Sequence, residues 1–337
     1  MRKLLSAGVL IVIFLLRSTA VWAQEIDSLL NSQINSVLSK DKIRILITES
    51  GLGGLSVMAQ IEKSISASHS FKELELIFVN ALPSANFRYN SMPDENTKIA
   101  FFDRTLAGME KWFHPDIILI ACNTLSVVYP KSEFHKTAAI PVIGIVDLGV
   151  NLICNKLNND PGSKVLILGT ETTIASGSHK NRLISKGISE DRILCQACPN
   201  LETEIQNNAK SDLIDGMIDL YTDEVASNIK KDNSKIYAAL CCTHYPYVSN
   251  KFKDILSAKT GSDVAILNPN MEMANIISGY RPSKKYDICK MDVKVYSQAV
   301  LSPDEIISIS DILQNTSPAS SLALKNYFNK SDLFILQ

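Results

Sequence analysis

An excess of charge of either sign is missing from this 337-residue chain, in which 34 Lys and Arg stand against 35 Asp and Glu. That balance excludes the broad basic face of a nucleic-acid binder and the polyacidic tail of an interaction segment, and leaves a small molecule as the expected partner. Disorder-prone composition is missing too, because 46% of the residues are hydrophobic, enough for a sizeable core and in keeping with two domains. No apolar run is long enough for a comfortable membrane span. The nearest, residues 4–16, follows Arg2 and Lys3 and precedes Val21, Trp22 and Ala23. Charged start, apolar middle and small residue at a cut site describe a secretory signal peptide over residues 1–23, so the expected location is exported, in the periplasm. An uncleaved N-terminal anchor is the competing reading, opposed by Arg17, which ends the run early. No cysteine follows the cut site, which argues against a lipid anchor.

Metal and dinucleotide signatures are absent in turn. Cys195 and Cys198 form a C-x-x-C, but zinc needs a second pair or nearby histidines, and His179 and His244 are too scattered, so buried thiols are expected there. The glycine-rich stretch TESGLGGLSV, residues 48–57, is not G-x-G-x-x-G, and Asn80 rather than an acid ends the next apolar run, which disfavours a dinucleotide. Neither cofactor nor metal is expected. The odd number of cysteines, Cys122, Cys154, Cys195, Cys198, Cys241, Cys242 and Cys289, implies at least one free thiol or an intermolecular bridge in an exported protein.

What is present is a rhythm of short, fully apolar runs at residues 43–47, 74–79, 117–121, 142–146, 165–168, 236–240, 264–267 and 293–296. Runs without polar alternation are expected for strands covered on both faces. Helical spacing lies between them, as at 96–112 and 205–229, so the fold class is α/β with parallel sheets. KIRILITES at 42–50 resembles KVLILGTET at 164–172, an offset of 122, and Cys122 and Cys242 are offset by 120. Two similar Rossmann-like halves follow, expected as residues 40–146 plus 265–337 and residues 147–264, with a ligand cleft beyond the carboxyl ends of the strands.

Both Cys122 and Cys242 sit at the end of an apolar run, followed by Asn123 and Thr124 in one case and by Thr243 and His244 in the other. A thiol acts as a base only when ionised, and its pKa of about 8.5 falls at helix N-termini or beside cations. Helix starts are expected after both. Two thiols on opposite sides of a Cα–H bond remove a proton from one face and return one to the other, which inverts the centre without a cofactor. Glu49 is placed to orient or activate a thiol, or else is a solvated turn carboxylate. His244 is near enough to Cys242 to stabilise its thiolate or relay a proton. Ser50 is a candidate helix cap, and Gly51, Gly53 and Gly54 allow close approach of a ligand.

With ACNT at 121–124 and CTHYP at 242–246, supported by SGLGGL, PVIGI, GTETTIASG and ACP in order, the chain resembles the cofactor-independent aspartate/glutamate racemase superfamily. Within it the likeness is to the glutamate racemases, over residues 42–298. The resemblance implies two α/β domains with the active site between them, Cys122 and Cys242 as opposed acid and base, and His244 assisting Cys242. It implies substrate contacts from Ser50, Asn123, Thr124 and Thr243, and from Tyr89 and Asn90 in place of a Pro-Tyr-Gly loop. It further implies a homodimer and a part in wall-precursor synthesis. Three departures stand out: Glu49 where the family has aspartate, Arg88-Tyr89-Asn90 for Pro-Tyr-Gly, and Gln206 where the family has a glutamate, with Glu202 or Glu204 as candidate substitutes. A binding protein that has lost turnover and a racemase for aspartate or another amino acid are therefore the alternatives. Residues 301–337 add a helical pattern at 304–313, a Ser/Pro linker and an apolar end, expected on the surface or at a subunit contact.

Overall fold

The computed structural model describes residues 30–84, 87–230, 235–282 and 285–334. The signal-peptide segment, residues 1–23, lies outside them. The chain divides into two units, Met1–Lys40 and Asp41–Gln337. Residues 30–38 of the first are helical. No helix among the described residues is long and apolar enough to cross a membrane.

Asp41–Gln337 is built on two sheets. Strands β1 (Lys42–Glu49), β2 (Glu73–Asn80), β3 (Ile117–Ile120), β4 (Val142–Gly144), β9 (Lys290–Ser297) and β10 (Phe328–Asn329) form one, in the order β10-β9-β2-β1-β3-β4. Strands β5 (Lys164–Gly169), β6 (Ile193–Ala197), β7 (Ile236–Cys241) and β8 (Ala265–Leu267) form the other, ordered β6-β5-β7-β8. Each described pairing is parallel. Parallel strands need crossover helices, which cover both faces and account for the unbroken apolar runs. Ile45, Leu46 and Ile47 in β1 and Val165 to Leu168 in β5 are all fully buried, and each such side chain contributes about 1.5–3 kcal/mol.

The internal repeat has a structural meaning. β1 lies between β2 and β3 as β5 lies between β6 and β7, and Cys122 and Cys242 follow the equivalent strands β3 and β7. The carboxyl ends of β1, β3, β5 and β7 carry the groups described next.

Several sequence expectations shift by local chemistry. The run at 142–146 ends as strand at Gly144, because the Ile145 amide turns to Ser126 Oγ (3.0 Å) and opens helix Ile145–Asn159. The helical pattern at 205–229 divides into Leu201–Asn208 and Leu213–Lys230. Between them Asn208 Oδ1 accepts the Lys210 amide and Ser211 Oγ the Leu213 amide, side-chain bonds that compete with the helix ladder. β6 went unread because it is an edge strand with half-buried residues and no apolar run. After helix Pro303–Gln314, the Ser/Pro segment is no linker: Ser317 caps a further helix, Pro318–Lys325.

Candidate active site

Cys122 lies two residues beyond β3 and caps helix Asn123–Val128, its Sγ accepting the Leu125 amide at 3.4 Å. Ser50 Oγ, beyond the end of β1, lies 3.3 Å from the same sulfur. Cys242 follows β7, but no α-helix starts at it: a 3-10 turn, Tyr245–Val248, intervenes before helix Ser249–Thr260. The expected helix start thus holds at Cys122 and fails at Cys242, whose Sγ instead lies 3.9 Å from His244 Nδ1. Both thiols are buried and line one crevice between the strand ends of the two sheets. The space open to the centre of a water-sized sphere is about 40 Å³. A single water needs roughly 10–15 Å³ on that measure, so this space is that of a few waters.

Burial dominates the electrostatics. It pushes Cys122 up to about 11, with the Glu49 charge adding to the rise and the Ser50 and Leu125 bonds opposing it. Cys242 is raised well above the usual thiol value by burial, then by the Glu202 and Glu49 charges. Both thiols are therefore protonated at neutral pH, since desolvation outweighs the local dipoles.

Glu49 is neither solvated nor bonded to a thiol. Its Oε1 accepts from Thr243 Oγ1 at 2.6 Å and lies 3.5 Å from His244 Nδ1, and its Oε2 accepts the Gly54 amide. Burial raises it to about 8 against those two bonds. Glu49, not Ser50, thus supplies the side-chain acceptor at the start of helix Leu55–Ser68. Gly53 serves a packing need: a Cβ there would lie 2.6 Å from the His244 amide nitrogen and from the Thr243 carbonyl carbon, while Gly51 lines the crevice. Burial drives His244 down to about 3, with Arg88 adding to the fall, so its imidazole is neutral and does not stabilise a thiolate by charge. Its Nε2 is 2.8 Å from Gln206 Oε1, which also accepts the Leu52 amide at 2.8 Å.

The remaining groups present hydrogen-bonding capacity to the crevice. Asn123 is buried with neither end of its amide partnered, and the Tyr89 hydroxyl is likewise unpartnered. Thr124 Oγ1 is 3.0 Å from Thr170 Oγ1, which donates to Thr173 Oγ1 at 3.0 Å. Thr170 and Thr173 are not among the expected site residues, although Thr170 directly follows β5 within KVLILGTET and Thr173 lies one residue beyond that stretch. Asn90 accepts from Thr172 and donates to Glu202 Oε1 at 3.4 Å. Glu202 lines the crevice with its carboxyl raised by burial, and Glu204 does not line it. Cys195 and Cys198 are free thiols, and no cluster of three or more potential metal ligands occurs among the described residues.

A pair of parallel α/β sheets that each deliver one thiol to a shared, closed crevice has the layout of an acid–base isomerase. The chain belongs to the Asp/Glu/hydantoin racemase family, whose model matches residues 45–253. It is 29% identical to the glutamate racemase of Campylobacter jejuni over 220 residues, 65% of this chain and 79% of that one. With the glutamate racemase of Vibrio cholerae it shares 26% over 264 residues, 76% and 87% of the two chains. The crystal structure of the C. jejuni glutamate racemase superposes with a TM-score of 0.59 at 23% identity, covering 86% of this chain and 100% of that one. The Francisella tularensis glutamate racemase in complex with D-glutamate gives 0.62 at 20%, with 82% and 95% covered. At these identities the superpositions establish the fold.

Proposed function

We propose that this protein interconverts the enantiomers of an amino acid, glutamate in the first instance, by proton transfer between Cα and two cysteines. The observation that carries this reading is the convergence of Cys122 and Cys242, from equivalent strands of separate sheets, on one crevice. The relatives from C. jejuni and V. cholerae, both glutamate racemases, support the substrate.

In one direction a thiolate takes the α-proton and becomes a thiol, while the opposite thiol gives its proton to the other face of the carbanion and becomes a thiolate. Protons balance, and the pair is left poised for the reverse direction. The unpartnered Asn123 amide and the Thr124, Thr170 and Thr173 hydroxyls are suited to the substrate carboxylate, where charge develops as the proton leaves. Cys242 Sγ has His244 Nδ1 as a hydrogen-bond acceptor at 3.9 Å, with the Glu49 carboxyl 3.5 Å beyond that nitrogen. The substrate's ammonium, entering a crevice lined by Glu49 and Glu202, brings further positive charge beside the thiols.

The test is racemisation followed by polarimetry under reducing conditions, with Cys122→Ser and Cys242→Ser beside the unaltered protein. Loss of inversion in each variant is expected, and full activity in either would end the two-thiol reading. One observation favours a second reading, a binding protein without turnover: Gln206 cannot take up a proton where the family's glutamate can. Calorimetric binding of glutamate without inversion would select it. Export, periplasmic location, a homodimer and a wall-precursor role remain part of the proposal; export rests on residues 1–23, and fractionation of cells producing the full chain checks it.

A further inference from the structure

We propose that Glu305, on helix Pro303–Gln314, is a positioning residue that fixes the Gln206 amide and, through it, the His244 tautomer whose Nδ1 faces the Cys242 thiol as a hydrogen-bond acceptor. The inference rests on the racemase reading for its kinetic consequence, while its structural content stands on hydrogen-bond direction alone.

A carboxylate only accepts. Glu305 Oε1 lies 2.6 Å from Gln206 Nε2, so that end of the amide is the NH2 group. Gln206 Oε1 then faces two donors, the Leu52 amide at 2.8 Å and His244 Nε2 at 2.8 Å. His244 carries its single proton on Nε2, and the Nδ1 lone pair points to Cys242 Sγ at 3.9 Å, with Glu49 Oε1 at 3.5 Å. Turning the amide over would set its oxygen against the Glu305 carboxylate and its NH2 against the Leu52 N–H. Both contacts are repulsive, and leaving such buried groups unpaired is strongly unfavourable.

Glu305 is held firmly enough for this role. It is buried, its Oε2 accepts the Ser302 amide at 2.8 Å, and its own amide donates to Ser302 Oγ at 3.2 Å, a reciprocal cap at the helix start. Arg88 Nη2 stands 3.7 Å from Glu305 Oε1, and Arg88 Nη1 donates to Thr203. The C-terminal helix, expected only on the surface or at a subunit contact, therefore reaches the crevice wall. The carboxylate that the family resemblance expects at 206 occurs here one hydrogen bond further out.

The test uses the isosteric Glu305→Gln, the exchange Gln206→Glu with Glu305→Gln, and Ser302→Ala as a cap control. In Glu305→Gln the new amide has one acceptor for two donors, the Ser302 backbone N–H and Gln206 Nε2, so Gln206 loses its orientation. The expected result for the single variant is a kcat lowered about 10- to 100-fold with KM within about twofold, the scale of lost supporting shells. The exchange restores a carboxylate at 206 to accept from Leu52 and His244, with the NH2 group introduced at position 305 donating to it, and kcat returns to within a few-fold of the starting protein. Ser302→Ala lowers the melting temperature and leaves kcat unchanged. In 15N spectra of histidine-labelled protein, His244 is expected as the Nε2–H tautomer in the unaltered protein and as a mixture or the Nδ1–H form in Glu305→Gln. Full kcat in Glu305→Gln, an exchange variant no better than the single one, or an unchanged His244 pattern would each overturn the proposal. If the unaltered protein shows no racemisation, the functional reading fails, and the nitrogen shifts still decide the role of Glu305.

Discussion

The two thiols arrive at the crevice from equivalent strands, yet they are served differently. Cys122 caps a helix and is flanked by the Leu125 amide and the Ser50 hydroxyl, fixed dipoles with no titratable partner in bonding contact. Cys242 caps nothing and faces the lone pair of a neutral imidazole, behind which stand Glu49 on one side and Gln206 with Glu305 on the other. One strand position thus serves its thiol in two ways: Cys122 by donors alone, which favour the thiolate, and Cys242 by the His244 backbone N–H together with an imidazole lone pair that accepts from the thiol. Cys122 is held to about 11, whereas Cys242 is driven well above the thiol range, so Cys122 is the readier base.

Removing either sulfur should erase the comparison altogether. Cys122→Ser and Cys242→Ser are each expected to lower kcat at least about 10³-fold, within the range of losing a general acid or base, measured by coupled D-amino-acid detection from both enantiomers. Asn123→Ala removes a shared group, so it should slow both directions equally, by about 10²-fold, as for a lost oxyanion donor. Unequal loss would tie Asn123 to one thiol only.

Ser50→Ala sharpens the contrast. Without the hydroxyl beside it the Cys122 thiol rises beyond about 11. At saturating substrate, kcat of the direction that uses Cys122 as base should fall about tenfold, for one pKa unit of thiolate lost, with KM moving so that kcat/KM stays equal for the two enantiomers, and that kcat should climb only at higher pH. Initial rates from each enantiomer between pH 7 and 10 read this, and equal slowing of both directions would remove the asymmetry.

Glu49→Gln has the smallest kinetic content and reports on stability. Glu49 titrates near 8 in the fold instead of its ordinary 4.5, so between those values the folded state holds a proton that the unfolded chain has released. Stability then falls as pH rises through that window, by up to about 1.4 kcal/mol per unit. Glutamine does not titrate, so the variant is expected to match the unaltered protein near pH 4 and exceed it by a few kcal/mol at pH 8, checked by urea midpoints.

Much of this was legible in the sequence. Strands buried on both faces wrote themselves as apolar runs, and the offset shared by KIRILITES and KVLILGTET became the equivalence of β1 and β5. The strand-end thiols with Thr124, Thr243 and His244 reached one crevice because strand ends of a parallel sheet converge. Three things were not legible. Desolvation of the thiols depends on what packs around them, which motif spacing does not report. The glycines at 51, 53 and 54 suggested a ligand, but Gly53 instead admits the backbone of Thr243 and His244. Glu305 falls in the helical pattern at 304–313 that was expected on the surface or at a subunit contact, and nothing local marks its contact with Gln206.

The most direct test of opposed thiols is the fate of the α-hydrogen in heavy water. Starting from pure L-glutamate and sampled early, product D-glutamate should carry deuterium while recovered L-glutamate retains protium, because each face is served by its own sulfur. Deuterium entering the recovered substrate as fast as the product would mean a single base serves both faces, and would contradict the account.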